Sequence, residues 1–169
     1  KGPKKLMPIK FFEDKGSAQC KSSVILGAIK VEGKTIIRAK KSRDHTELLF
    51  KYLKLPIKIK KNKNFDLIEI SKVKKIKPIN YSIPSDISSG AFFIALTVLS
   101  KNSQLIINNV NINPTRIGII KVLKKMGVNI LFLNKRIYKG EQIADIFVKS
   151  PKQLKSVNCP SKLNSGAID

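Results

Sequence analysis

The sequence matches itself at a spacing of 70 residues. Ile36-Ile37 falls on Ile106-Ile107, Leu53 on Leu123, and Val24 and Leu26 on Ile94 and Leu96. Polar stretches follow the same spacing. Gly16-Ser17-Ala18-Gln19 falls on Asp86-Ile87-Ser88-Ser89, and Ser42-Arg43-Asp44-His45 falls near Ile112-Asn113-Pro114-Thr115. Self-similarity of this kind marks a modular fold, in which one supersecondary unit is used more than once.

Hydrophobic periodicity gives the unit its content. Leu6 to Glu13 reads as a strand, and Ser17 to Lys30 as a helix with Val24, Ile25, Ala28 and Ile29 on its apolar side. After the turn at Glu32-Gly33, Lys34 to Arg38 reads as a strand. Ser42 to Glu47 opens a second helix, striped by Leu48, Leu49, Tyr52 and Leu53, capped by Ser42 or Asp44 and ended by Pro56. Ile57 to Ile59 and Phe65 to Ile70 form strands around the turn at Asn62 to Asn64. The unit is β-α-β-α-β-β, so the fold class is α/β.

The second copy follows a basic connector, Ser71 to Pro78. It reads as a strand at Asn80 to Ile83, a helix entered at Pro84 to Ser89 with its body at Gly90 to Ser100, and a strand at Gln104 to Val110. A second helix runs from Asn113-Pro114-Thr115-Arg116 to about Met126, with Gly127 just past its end. Strands at Val128 to Leu133 and Ala144 to Val148 flank the turn at Lys139-Gly140, and Leu154 to Val157 is a further candidate strand.

The formal charge is +23, with 34 Lys+Arg against 11 Asp+Glu. Such an excess suits nucleic acid, and a basic RNA-binding α/β module is one reading. Three features weigh against it. Only Arg38, Arg43, Arg116 and Arg136 are arginines, the lysines are dispersed, and Phe and Tyr are not interleaved with them as on a stacking surface. Abundant Lys, Ile and Asn fit drift in an A/T-rich genome, and a diffuse positive field still attracts small anions. No nucleic-acid partner is therefore expected. Cys20 and Cys159 have no metal-ligand spacing, which suits a reduced, cytoplasmic protein. No signal peptide is expected, and the longest apolar stretch, Ala91 to Leu99, is too short to cross a bilayer. The chain starts at Lys1 without Met and stops just after Ala167-Ile168, so it is expected to be a fragment.

Gly16 to Ser23 carries the first functional expectation. A turn-prone lead-in passes into a helix whose start would offer backbone N–H groups, a hydroxyl, an amide and the Lys21 ammonium to an anion. The plainer reading is a Ser17 N-cap. Arg43 has a plain reading too, as a surface partner of Glu47 at i,i+4. His45, in the first turn beside Asp44, suits a structural role or the lining of a site. Ser88-Ser89 suits helix capping, Asn113 to Arg116 a structural helix start, and both cysteines are expected to be inert.

The motifs taken together carry a resemblance. Ser17-Ala18-Gln19-Cys20-Lys21-Ser22, Ser42-Arg43-Asp44-His45-Thr46-Glu47, Ile83-Pro84-Ser85-Asp86-Ile87-Ser88-Ser89 and Asn113-Pro114-Thr115-Arg116 resemble four motifs of the 5-enolpyruvylshikimate-3-phosphate (EPSP) synthase family, in the family's order. Gly140-Glu141 to Ala144-Asp145 and Ile168-Asp169 also fit. The resemblance implies two domains, each of three β-α-β-α-β-β units in an inside-out barrel. Residues 1–80 would be the last unit of the first domain and residues 81–169 the first part of the second. It implies transfer of the enolpyruvyl group of phosphoenolpyruvate to the 5-hydroxyl of shikimate 3-phosphate, with release of phosphate and no metal or organic cofactor. Ser17 and Ala18 would bind the shikimate 3-phosphate phosphate, Gln19 would touch both substrates, Ser42 and Arg43 would contact shikimate 3-phosphate, and Asp169 would accept the proton. The substrates would be the only partners, the full-length protein a monomer without membrane contact, and the fragment inactive alone. A related transferase acting on UDP-N-acetylglucosamine shares the fold; Gln19 and Ser42 to Glu47 favour the shikimate enzyme. Ser85 departs from the family, where many members have Gly.

Overall fold

The computed structural model describes residues 5–159 together with Leu163, Gly166 and Ala167. It divides into two compact units, Lys1–Asn80 and Tyr81–Asp169.

The first unit runs β1 (Lys10–Glu13), α1 (Ala18–Ala28), β2 (Lys34–Lys40), α2 (His45–Tyr52), β3 (Ile57–Lys61) and β4 (Phe65–Ser71). Its sheet has the order β1-β2-β4-β3, with β1 parallel to β2 and the other pairs antiparallel. A parallel pair needs a crossover, which α1 supplies. Alternation sets the faces. Thr35, Ile37 and Ala39 of β2 point inward, opposite Asp66, Ile68 and Ile70 of β4. Ile25 and Ala28 of α1 and Phe50 of α2 close over them. Ile25, Ile37, Ile68 and Ile70 have no exposed surface, and each such side chain contributes about 1.5–3 kcal/mol by leaving water. On the outward face, Arg38 stands over Phe12 and Phe65, 5.2 and 4.3 Å from their ring centroids. The sequence reading missed this pair, because Phe12 and Phe65 are neighbours only across the sheet.

The second unit runs α3 (Ile87–Leu99), β5 (Gln104–Asn111), α4 (Gly118–Lys125), β6 (Asn129–Tyr138) and β7 (Glu141–Lys149). Its sheet order is β5-β7-β6, all antiparallel. Ile87, Ile94, Val98, Val110, Ile120, Ile130, Ala144, Ile146 and Val148 form the core. The β6–β7 hairpin turns at Lys139 (φ 47°) and Gly140 (φ 91°), the left-handed pair that a two-residue hairpin requires.

The repeat is real and the copies are unequal. β2, β3 and β4 correspond to β5, β6 and β7, in the same sheet order. The strand expected at Asn80 to Ile83 is absent. Only Ser85 reaches the sheet, in a parallel bridge to Val110, with Ser85 N–H donating to Asn109 O and Asn111 N–H to Ser85 O. Pro78 and Pro84 bracket that stretch, which is too short between them to build a ladder beyond the Ser85 bridge. Leu154 to Val157 is no strand either. Leu154 packs against the core, and Lys155 N–H donates to Met126 O. The 70-residue spacing holds from β2 to β5 and then lengthens, since α2 starts at His45 and α4 at Gly118. Leu123 of α4 therefore answers to Phe50, one helical turn before Leu53.

Candidate functional site

The chain leaves β1 at Glu13, whose buried carboxylate is surrounded by backbone donors. Its Oε1 accepts from Lys15 N–H and Ser17 N–H, and its Oε2 from Gly16 N–H, all at 2.9 Å. Gly16 makes this wrap possible with φ 76°. Ser17 is the N-cap of α1, its Oγ accepting from Cys20 N–H at 3.2 Å. Most of the N–H groups expected to face an anion are thus engaged inside the loop. Among the described residues nothing accepts from Ala18 or Gln19 N–H. These remain available on the first turn, and the Ser17 hydroxyl keeps its own proton to donate.

Lys21 corrects the expectation that it faces an anion. Its side chain is 1% exposed, and its ammonium sits 2.6 Å from Glu47 Oε1 and donates to Arg43 O at 2.8 Å. Glu47, read as a surface partner of Arg43, is instead buried in α2 against Lys21. Asp44 is the N-cap residue of α2 without a side-chain capping bond, and it accepts from Lys61 Nζ at 3.2 Å. Ser42 does not cap the helix; its Oγ is buried with no partner among the described residues.

The α1 and α2 starts meet. A cavity of about 220 Å³ is lined by Ala18, Gln19, Ser22, Arg43, His45 and Thr46. Ser22 Oγ and Thr46 Oγ1 hydrogen-bond at 2.7 Å, tying the helices together. Among the described residues no carboxylate lines the cavity. It offers a helix N-terminus, an amide, hydroxyls, a guanidinium and an imidazole, which is a donor set for an anion. Of the residues expected from sequence, Ala18, Gln19 and Arg43 line it together. Ser17 caps the same helix end, and Ser42 lies in the loop beside Arg43 without lining it. Asp169 lies outside the described residues. Ser22 and Thr46 were missed, although Ser22 follows Ala18 by four positions and so shares its helix face. Among the described residues no group of three His, Cys, Asp or Glu side chains is placed to hold a metal ion.

The corresponding helix start in the second unit is structural. Asp86 caps α3, accepting from Ser89 N–H at 2.9 Å, and Arg116 Nη2 lies 3.0 Å from its other oxygen and also bonds Ser88 Oγ. Burial acts to raise the Asp86 carboxyl pKa. The Ser89 and Ser88 N–H groups, the Ser89 hydroxyl and Arg116 outweigh it and hold the group below its usual value. Asn113 is buried, and its Oδ1 accepts from Thr115 N–H and Oγ. This local turn delays α4 to Gly118.

The comparisons agree with one another. The family model for EPSP synthase (3-phosphoshikimate 1-carboxyvinyltransferase) matches residues 1–165. A 3-phosphoshikimate 1-carboxyvinyltransferase of Petrotoga mobilis is 37% identical over 169 residues, covering 99% of this chain and 38% of that protein. One from Caldicellulosiruptor bescii is 43% identical over 151 residues, covering 89% and 35%. The solved EPSP synthase of Acinetobacter baumannii superposes with a TM-score of 0.83 at 34% identity, over 96% of this chain and 36% of that one. The enolpyruvyl transferase NikO of Streptomyces tendae shares the fold, with a TM-score of 0.60 at 14% identity over 90% of this chain and 37% of its own. The chain thus spans little more than a third of its relatives' length, and with a family model matching nearly all of it, it belongs to the EPSP synthase family.

Proposed function

We propose that this chain is part of an enzyme that transfers the enolpyruvyl group of phosphoenolpyruvate to the 5-hydroxyl of shikimate 3-phosphate, releasing phosphate. The observation that carries this reading is the convergence of Ala18, Gln19 and Arg43 on one cavity at the α1 N-terminus, lined by no carboxylate among the described residues. Ser17 and Ala18 hold the shikimate 3-phosphate phosphate, through the Ser17 hydroxyl and first-turn N–H groups. Arg43 contacts the same substrate and Gln19 touches both, while the Ser42 contact rests on resemblance alone, since its buried hydroxyl does not line the cavity. The hydroxyl adds to C2 of phosphoenolpyruvate as its methylene takes a proton, and loss of phosphate from C2 together with a proton from the resulting methyl group then restores the double bond. Asp169 is assigned the proton from the attacking hydroxyl. That role rests on resemblance.

Residues 1–80 form the last repeat of one domain and residues 81–169 open the other, in a cytoplasmic monomer that needs no cofactor and binds no nucleic acid. No helix among the described residues is long and apolar enough to cross a membrane.

The test is phosphate release by the complete gene product containing these residues, supplied with both substrates. Turnover requiring both is expected. No turnover, with salt-sensitive RNA binding instead, would overturn the reading. Gln19→Ala should lower kcat/KM for both substrates by about 10- to 100-fold, the worth of a well-placed polar contact; an unchanged value removes Gln19 from the site.

A further inference from the structure

We infer that Lys21 is a positioning residue for this site: its buried ammonium, held by Glu47, fixes the Arg43 carbonyl and so sets where the Arg43 side chain stands relative to Gln19. The inference rests on the functional reading above.

The two motifs have matching form. Lys21 follows Ser17 by four residues and Glu47 follows Arg43 by four, so each buried charge sits in the first turn of a helix, just after a proposed ligand-binding residue. The ammonium of one motif reaches into the other, 2.6 Å from Glu47 Oε1 and 2.8 Å from Arg43 O. Both side chains are almost fully buried, at 1% and 4% exposed. An ion pair at that depth is a poor source of stability, because desolvation of both charges offsets their attraction, and an apolar pair of similar volume often does as well. The Arg43 carbonyl is the contact an apolar pair would not replace. Two further contacts hold the loops in place around it. Ser22 Oγ bonds Thr46 Oγ1 at 2.7 Å. A Cβ on Gly16 would lie 3.5 Å from Lys41 O, so the two loops run close together there. Arg43 thus reaches the cavity from a backbone pinned on the α1 side, which spares a long side chain part of its ordering cost on binding.

The test uses the complete gene product. Lys21→Met strands a buried carboxylate and should lower the melting temperature. Lys21→Met/Glu47→Gln removes that charge and should recover most of the loss. The KM for shikimate 3-phosphate in the double variant should nevertheless stay about tenfold or more above the parent, with kcat changed far less, because the Arg43 carbonyl still lacks its donor. A purely structural pair would restore KM along with stability, and that result overturns the proposal. Lys21→Gln covers the case in which the double variant does not fold. Its amide can still donate to Glu47 but is too short to reach the Arg43 carbonyl as well. The same rise in KM is expected, and an unchanged KM overturns the proposal. A parent without turnover would refute the functional reading instead, whereas an active parent whose variants keep its KM refutes only the role of Lys21.

Discussion

Glu13 shows how much one side chain can fix. Three backbone N–H groups, from Lys15, Gly16 and Ser17, converge on its carboxylate, and this arrangement shapes the approach to the α1 start. Glu13→Ala would leave them without an acceptor in a partly buried loop. Hydrogen bonds to a charged group are worth about 1.5–3 kcal/mol each and are not additive. We therefore expect a loss of about 3 kcal/mol, read as a lower midpoint in urea denaturation; a change below about 0.5 kcal/mol would mean that water replaces the carboxylate. The sequence offered no sign of this role, because a Glu before Asp14-Lys15 looks like a solvated turn. Lys21 was misread for a similar reason. Its place in the motif was legible, but its burial depends on Glu47, 26 positions away. That Ala18, Gln19 and Arg43 share one cavity was legible because each stands in a motif that the family resemblance groups together.

Strands and helices were legible wherever periodicity was clean. The alternation of Thr35, Ile37 and Ala39 identifies β2 unaided. It fails in β7, where Ile143 and Ala144 are both buried, since the sheet register shifts between Ile107 and Val110 and between Leu133 and Arg136. Asn109 (φ 54°) and Asn134 (φ 51°) take the left-handed conformations at these bulges. Asp145 on the strand between them ties both, accepting from Asn109 N–H at 2.8 Å and Asn134 Nδ2 at 2.7 Å. Those two bonds, the Asn134 one first, hold the Asp145 carboxyl below its usual pKa, with Arg136 adding to them. Asp86 at the α3 start is lowered as well. A carboxyl whose folded pKa is depressed contributes stability that is fully present above its unfolded value, about 3.9, and is lost as pH falls through the folded value. The second unit should therefore lose stability below about pH 4, and Asp145→Asn should flatten that acid limb of a denaturation-midpoint profile. An unaltered limb would assign the acid sensitivity to other carboxylates.

The repeat made the two-unit organisation readable, because two copies of one α/β unit separate where the basic connector ends. What surrounds the units was less readable. Helix α3 leaves Phe92 79% and Leu99 75% exposed, with Phe93 and Leu96 also outward. Such a face on one helix is unusual for a protein that stays monomeric by itself. The 169-residue chain expressed alone should associate with rising concentration in sedimentation experiments, and Phe92→Glu/Leu99→Lys should reduce that association; a chain that stays monomeric at all concentrations would contradict this. The central claim is that the α1 start and the Arg43 loop form one wall of an anion site. Calorimetric binding of shikimate 3-phosphate to the complete gene product and to its Arg43→Ala variant tests it most directly. Loss of a charge-assisted contact predicts binding weaker by about 10- to 100-fold, and equal affinities for parent and variant would contradict the account.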